Sequence, residues 1–192
     1  MDKDKEIIEA GIVEVKKYGA IFPIDDLCSR INISKKTFYS CFRTKNQLLE
    51  KIIYHLIDKW KSESRIQAGQ QTDVKTAFLK IFIYHLDEVT NFNSNFLSGL
   101  RLKFPNESSI INAYFDDVRT QLLNILKEGQ KNNKVKKGYN LEIFLQREVA
   151  FLEYLRNKNH VLKSKEDYIK LLTLSLECIL VAGDEQNEAN KN

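Results

Sequence analysis

Only two prolines and seven glycines interrupt the 192 residues, and this scarcity limits the fold more than any other feature. An all-β chain needs turn residues at short intervals. Here the apolar residues instead recur three and four positions apart, the period of a helix that buries one face. Apolar residues make up 43% of the chain, enough to bury a core, and the 29% that are charged can cover it.

The helices can be placed one by one. From about Lys5 to Tyr18, Ile7, Ile8, Ile12 and Val15 follow the helical period, and Gly11 lets another helix approach closely. Gly19 suits the left-handed residue that closes a helix. Pro23 fits the first turn of a second helix, where its missing N–H costs nothing. Asp25 and Asp26 then sit near that helix's positive end, and Ile24, Leu27, Cys28 and Ile31 form its inward stripe. Asn32 tolerates the left-handed backbone of a tight turn. Ser34 is a good cap for a short third helix on which Phe38 and Phe42 point inward together. Thr44-Lys45-Asn46-Gln47 reads as a capping box opening a fourth helix to about Arg65, with Leu48, Leu49, Ile52, Ile53, Leu56, Ile57 and Trp60 along it.

A polar stretch from Gln67 to Thr72 is the best interior break. Beyond it, helices are expected over about Val74–Val89, Phe92–Phe104, Ser108–Gln130, Leu141–Lys158 and Lys165–Ala182. Pro105 ends the second of these. Lys131 to Tyr139 reads as a polar loop, and Gly183 to Asn192 as a frayed tail. The expected class is all-α, with about nine helices. A three-helix helix-turn-helix domain spans residues 1–47, and a helical bundle spans residues 48–192.

The net charge is only +4, so charge placement matters more than its sum. Between Ser29 and Glu50 stand Arg30, Lys35, Lys36, Arg43 and Lys45 against a single acid, Glu50. A local basic stretch in a nearly balanced chain points to one anionic contact surface. Cys28, Cys41 and Cys178 match no metal or disulfide spacing and are expected to be reduced thiols. The sequence shows no signal-like start and no membrane-length apolar run, so a cytoplasmic protein is expected. No enzyme, metal or cofactor is expected either. His55, His85 and His160 lack ligand partners at helical spacing, and neither a phosphate loop nor a nucleophile motif is present.

Two short helices joined by a tight turn, the second rich in bases and hydroxyls, suit a helix-turn-helix. The second helix of that motif enters the major groove with its N-terminal residues at base edges. Lys35, Lys36, Thr37 and Ser40 are the side-chain types that read phosphates and bases. On pattern alone, a solvated basic helix remains the competing reading.

The stretch Ile7 to Leu49 resembles the DNA-binding domain of the TetR family of bacterial repressors. The resemblance rests on Ile8, Ala10, Gly19, Ile24, Asp26 and Leu27. It is strongest over Ile33-Ser34-Lys35-Lys36-Thr37-Phe38-Tyr39, followed by Phe42, Lys45 and Leu48. It implies that Tyr39 and Lys45 contact phosphates, that Thr37 lies at the DNA face, and that Lys35, Lys36 and Ser40 read bases. It also implies a homodimer through the last two long helices and a body that encloses a small-molecule pocket. Asn32 departs from the family's usual Gly but can fill the same turn. Phe22-Pro23 replaces the usual Ser/Thr cap, at a cost of up to roughly 1 kcal/mol that Pro23 partly offsets. Lys36 replaces a small or Pro residue, so no operator sequence follows from relatives.

The implied function is a sequence-specific transcription regulator, a repressor released by a small apolar or amphipathic effector. Phe82, His85, Arg101 and Tyr114 are the candidate ligand contacts, because a pocket is mainly apolar with few polar anchors. For the dimer, Phe144, Val149, Phe151, Leu152 and Leu155 face Ile169, Leu172, Leu176 and Ile179. A two-fold dimer predicts a pseudo-palindromic duplex site. The alternative is a helical interaction protein that kept the fold and lost operator binding.

Overall fold

The computed structural model describes residues 3–68, 73–92, 95–157 and 164–181. Among them run nine α-helices: α1 Lys3–Tyr18, α2 Ile24–Arg30, α3 Lys35–Cys41, α4 Lys45–Ala68, α5 Val74–Thr90, α6 Phe96–Lys103, α7 Pro105–Lys131, α8 Leu141–Asn157 and α9 Lys165–Ile179. A 3-10 turn, Gly19–Ile21, follows α1. The expected all-α class is therefore the observed one. The helix α4 runs on through Gln67 and Ala68, the first residues of the expected break, and residues 69–72, the last expected residues of α8 and α9 (Lys158 and Ala182), His160 and the tail from Gly183 lie outside the described residues.

Two compact units emerge from the contacts: Met1–Glu63 with His85–Phe115, and Ser64–Tyr84 with Asp116–Asn192. In the first, α4 carries the core. Leu48, Leu49, Ile52, Ile53, Leu56, Ile57 and Trp60 are all buried, at the spacing the sequence showed. Gly11 is where α1 meets α4, since a Cβ there would lie 2.5 Å from Ile52 Cδ1. Gly19 has φ +75°, and a Cβ there would stand 3.4 Å from the backbone of Asn95 and Phe96. Both its left-handed backbone and the close approach of α6 therefore favour glycine. Gly99 of α6 packs in turn on Ala20 and Ile21, so α6 lies against the turn that leads into α2. Trp60 meets Phe92 edge-on and packs at a tilt on Tyr114 and Phe115, and it donates its indole N–H to Glu88 at 2.6 Å.

In the second unit Phe78, Phe82, Leu122, Leu126, Phe144, Leu145, Tyr168, Leu172 and Leu176 fill the interior. Gly129 of α7 sits where a Cβ would meet Val135 and Val74 at 2.8 and 2.9 Å. The segment read as a polar loop is anchored. Val135 is buried and bridges antiparallel to Leu180, through Lys136 N–H to Ile179 O at 2.9 Å and Val181 N–H to Lys134 O at 3.0 Å. One apolar residue among lysines and asparagines carries no periodicity, so the anchor was invisible in sequence.

Other boundaries shifted for identifiable reasons. Pro105 opens α7 three residues earlier than expected, because a helix tolerates proline at its first position. Pro23 caps α2 with extended backbone (φ −72°, ψ 139°) instead of entering its first turn. Ile24 and Ile31 are only half-buried, which leaves Leu27 and Cys28 as the inward face of α2.

Candidate nucleic-acid interface

The turn between α2 and α3 is built by backbone bonds. Asn32 takes φ 53°, Ile33 N–H reaches Cys28 O at 3.0 Å, and Asn32 N–H reaches Ser29 O at 3.4 Å. This pair of bonds around a left-handed residue closes a helix sharply. Two residues later Ser34 caps α3 by accepting from Thr37 N–H at 3.0 Å. Phe38 and Phe42 then anchor α3 inward, both buried, with ring centroids 6.1 Å apart. Burying that stripe fixes which residues point out.

The outward residues are Lys35, Lys36, Tyr39 and Ser40, all exposed, and Tyr39 keeps half of its surface open. Tyr39 is braced edge-on against Phe38, with centroids 5.1 Å apart. Thr37 is half-buried and its hydroxyl lies 2.9 Å from Ser34 Oγ. Ser40 donates to Thr37 O at 2.7 Å. Lys35 forms an ion pair with Asp25 at 2.7 Å, and their hydrogen bond holds the Lys35 pKa above its ordinary value. Both partners are about 60% exposed, so the pair is weak and exchangeable. Sequence reading placed Asp25 at the helix dipole and missed its reach across the turn to Lys35.

Glu14 of α1 is buried and accepts from Arg30 Nε of α2, so the exposed Arg30 is paired with a carboxylate of its own domain. Thr44 caps α4 through Gln47 N–H at 3.1 Å, as the capping box requires. The reciprocal bond is displaced by one residue: Gln47 Oε1 accepts from Arg43 N–H at 2.9 Å. Lys45, the expected phosphate contact, is half-buried. Its ammonium donates to Phe22 O and lies over the Phe22 and Phe104 rings, 4.2 and 5.6 Å from their centroids. Burial lowers its pKa to about 8.

The candidate ligand residues are distributed differently from their expected convergence. His85 and Tyr114 are buried together in the first unit, with the phenol oxygen 3.4 Å from His85 Nδ1. Burial pushes the His85 pKa down to about 4, so the ring is neutral at physiological pH. Arg101 stands exposed on α6 and does not share their environment. Its place in the last turn of α6, where a cation meets the negative helix end, accounts for its position. Phe82 belongs to the second unit, stacked on Phe78 at 5.8 Å and near Tyr168 at 6.2 Å. A half-open cleft of about 280 Å³ in the second unit includes none of the four. It is lined by Gly138 to Asn140, Ile143, Phe144, Arg147, Ser175, Cys178 and Ile179.

Of the dimer residues read from sequence, Val149, Phe151, Leu152 and Ile169 are half-buried. Phe144, Leu172, Leu176 and Ile179 are buried inside the second unit. The outward apolar residues of α8 and α9 are Ile143, Leu171 and Leu174, with relative exposures of 64%, 40% and 57%. The side chain of Leu155 lies outside the described residues.

A capped seven-residue helix, fixed by a tight turn and presenting lysines and a tyrosine, defines a helix-turn-helix protein. No protein-family profile matches the chain. It is 20% identical over 189 residues to the uncharacterized HTH-type transcriptional regulator YvaF of Bacillus subtilis, covering 97% of this chain and 99% of that one. A transcriptional regulator of Saccharomonospora viridis, solved in complex with choline, superposes with a TM-score of 0.77 at 15% identity, over 94% of this chain and 99% of that one. A TetR transcription regulator of Haloarcula marismortui superposes with a TM-score of 0.76 at 16% identity, over 94% and 99%. The chain has the fold of the TetR-family transcription regulators.

Proposed function

We propose that this protein is a sequence-specific DNA-binding transcription regulator, a repressor that binds duplex DNA as a homodimer. The observation that carries this reading is the outward face of α3. Lys35, Lys36, Tyr39 and Ser40 project from a helix whose opposite face is locked by Phe38 and Phe42. A helix so held can enter a major groove without rearrangement, with Lys35, Lys36 and Ser40 at base edges and Thr37 at the DNA face. Tyr39, with Lys45 at the start of α4, takes the flanking phosphates. Residues 1–47 then serve as the DNA-binding domain and residues 48–192 as the effector and dimer domain.

The exposed apolar residues of α8 and α9 support pairing of two copies, which matches a pseudo-palindromic operator. A structure of the same fold holding choline supports a small-molecule effector, with the buried His85–Tyr114 pair as candidate contacts. Such an effector acts only through different affinities for the DNA-competent and released states. A cytoplasmic location accords with this role, and no described helix is long and apolar enough to cross a membrane. The test is fluorescence anisotropy of the DNA upstream of the protein's own reading frame. Binding that weakens steeply with salt and falls about tenfold in Tyr39→Ala is expected. Equal, weak binding of any duplex by both proteins points instead to a helical interaction protein of the same fold.

A further inference from the structure

Lys45 is an unusual first residue for a helix. A cation at the positive end of a helix is disfavoured by the macrodipole, and the ammonium here is also half-removed from water. Among the described residues no carboxylate forms an ion pair with it. Its partners are one carbonyl, Phe22 O, and two aromatic faces, Phe22 and Phe104. Phe22 leads into α2. Phe104 is the C-cap of α6 and immediately precedes Pro105, the first residue of α7. Both rings are buried, so neither moves without repacking. One ammonium therefore ties the start of α2, the start of α4 and the α6–α7 corner together inside the first unit.

This arrangement competes with a phosphate contact made by the same ammonium, because one of its three N–H groups is given to Phe22 O and two ring faces cover it. We propose that Phe104 is a positioning residue for DNA binding: it holds the Lys45 ammonium against Phe22, and α4 gains its phosphate contact only when that ammonium leaves the two rings. The proposal rests on the reading of Lys45 as a phosphate ligand. A phosphate offers the cation a full opposite charge, which outweighs a carbonyl and two ring faces. The free energy of leaving the rings is nevertheless subtracted from binding. The corner between α6 and α7 thus sets operator affinity without touching DNA. A displacement of Phe104 toward Lys45 weakens binding, and a withdrawal strengthens it. The low Lys45 pKa, about 8, accords with an ammonium held in this place by packing.

Two measurements on the full-length protein test it. The first follows the Lys45 side chain by NMR of ¹³C-labelled lysine through a pH titration, in wild type, Phe104→Leu and Phe104→Tyr. Phe104→Leu is expected to raise the Lys45 midpoint toward that of an ordinary lysine, and Phe104→Tyr, which keeps the ring, to leave it in place. The second is anisotropy with the upstream duplex in a double-mutant cycle with Lys45→Met. Phe104→Leu is expected to tighten binding about fivefold, the scale of one cation–π contact, and to have no effect once Lys45 is Met. General loosening of the fold would weaken binding in both backgrounds, and thermal melts of each variant reveal it. An unmoved Lys45 midpoint in Phe104→Leu overturns the hold, whatever the DNA result. A moved midpoint with equal affinity changes in both backgrounds overturns the link to DNA. If Lys45→Met binds the duplex like wild type, with the same salt slope, the phosphate assignment itself fails and the proposal fails with it.

Discussion

Two sets of exposed side chains among the described residues differ in chemistry. The face of α3 presents Lys35, Lys36, Tyr39 and Ser40. The helices α8 and α9 expose Ile143, Leu171 and Leu174. Each helix set has a well-buried opposite side, so both surfaces are what remains after the core is satisfied. A surface of ammonium and hydroxyl groups on a rigid short helix gains from a polyanion. A surface of aliphatic side chains gains from being removed from water. The difference teaches that one chain can carry two docking chemistries at once, and the proposed function needs both: one for the operator, one for a second copy.

Breaking the apolar surface should have the largest effect. Leu174→Glu places a charge on an exposed position, so the fold should tolerate it while the dimer does not. Light scattering should show a monomer, and operator affinity should fall by about 100-fold or more, since two linked half-sites become one. The interior offers a control that touches neither surface. The pKa of His85 lies near 4 in the fold and near 6.5 when unfolded, so the unfolded chain binds more protons between those values. Stability should be full above about pH 6.5 and fall as pH drops toward 4, by up to about 3 kcal/mol. Chemical denaturation across this range should show the loss, and His85→Phe should remove this pH dependence. Tyr39→Ala comes next, with operator binding about tenfold weaker and melting nearly unchanged because the ring is half-exposed. Asp25→Asn sharpens the comparison from the other side. It frees Lys35 from its ion pair and should tighten DNA binding about two- to threefold at low salt.

The legible parts of the molecule were those where local chemistry and periodicity agree. Asn32 announced the turn, Ser34 and Thr44 the caps, and the stripe from Leu48 to Trp60 the core of α4, and each stands where it was read. Periodicity does not by itself name a partner. Leu172, Leu176 and Ile179 follow the helical period because they pack within their own unit, and the same spacing would mark a dimer seam. Arg101 was grouped with His85 by composition, although α6 turns it to solvent. The burial of Lys45 under Phe104 joins residues far apart in sequence, which no local pattern records. The outward set on α3 was legible because Phe38 and Phe42 fix the phase of a seven-residue helix.

The central claim is that the α3 face holds duplex DNA, and salt-dependent anisotropy on the upstream duplex tests it most directly. Wild type should lose affinity linearly in log salt concentration. Lys36→Ala should lose operator preference over an unrelated duplex, and Tyr39→Ala should bind both duplexes more weakly while keeping that preference. Three proteins with the same weak affinity, the same slope and no preference between duplexes would contradict the account.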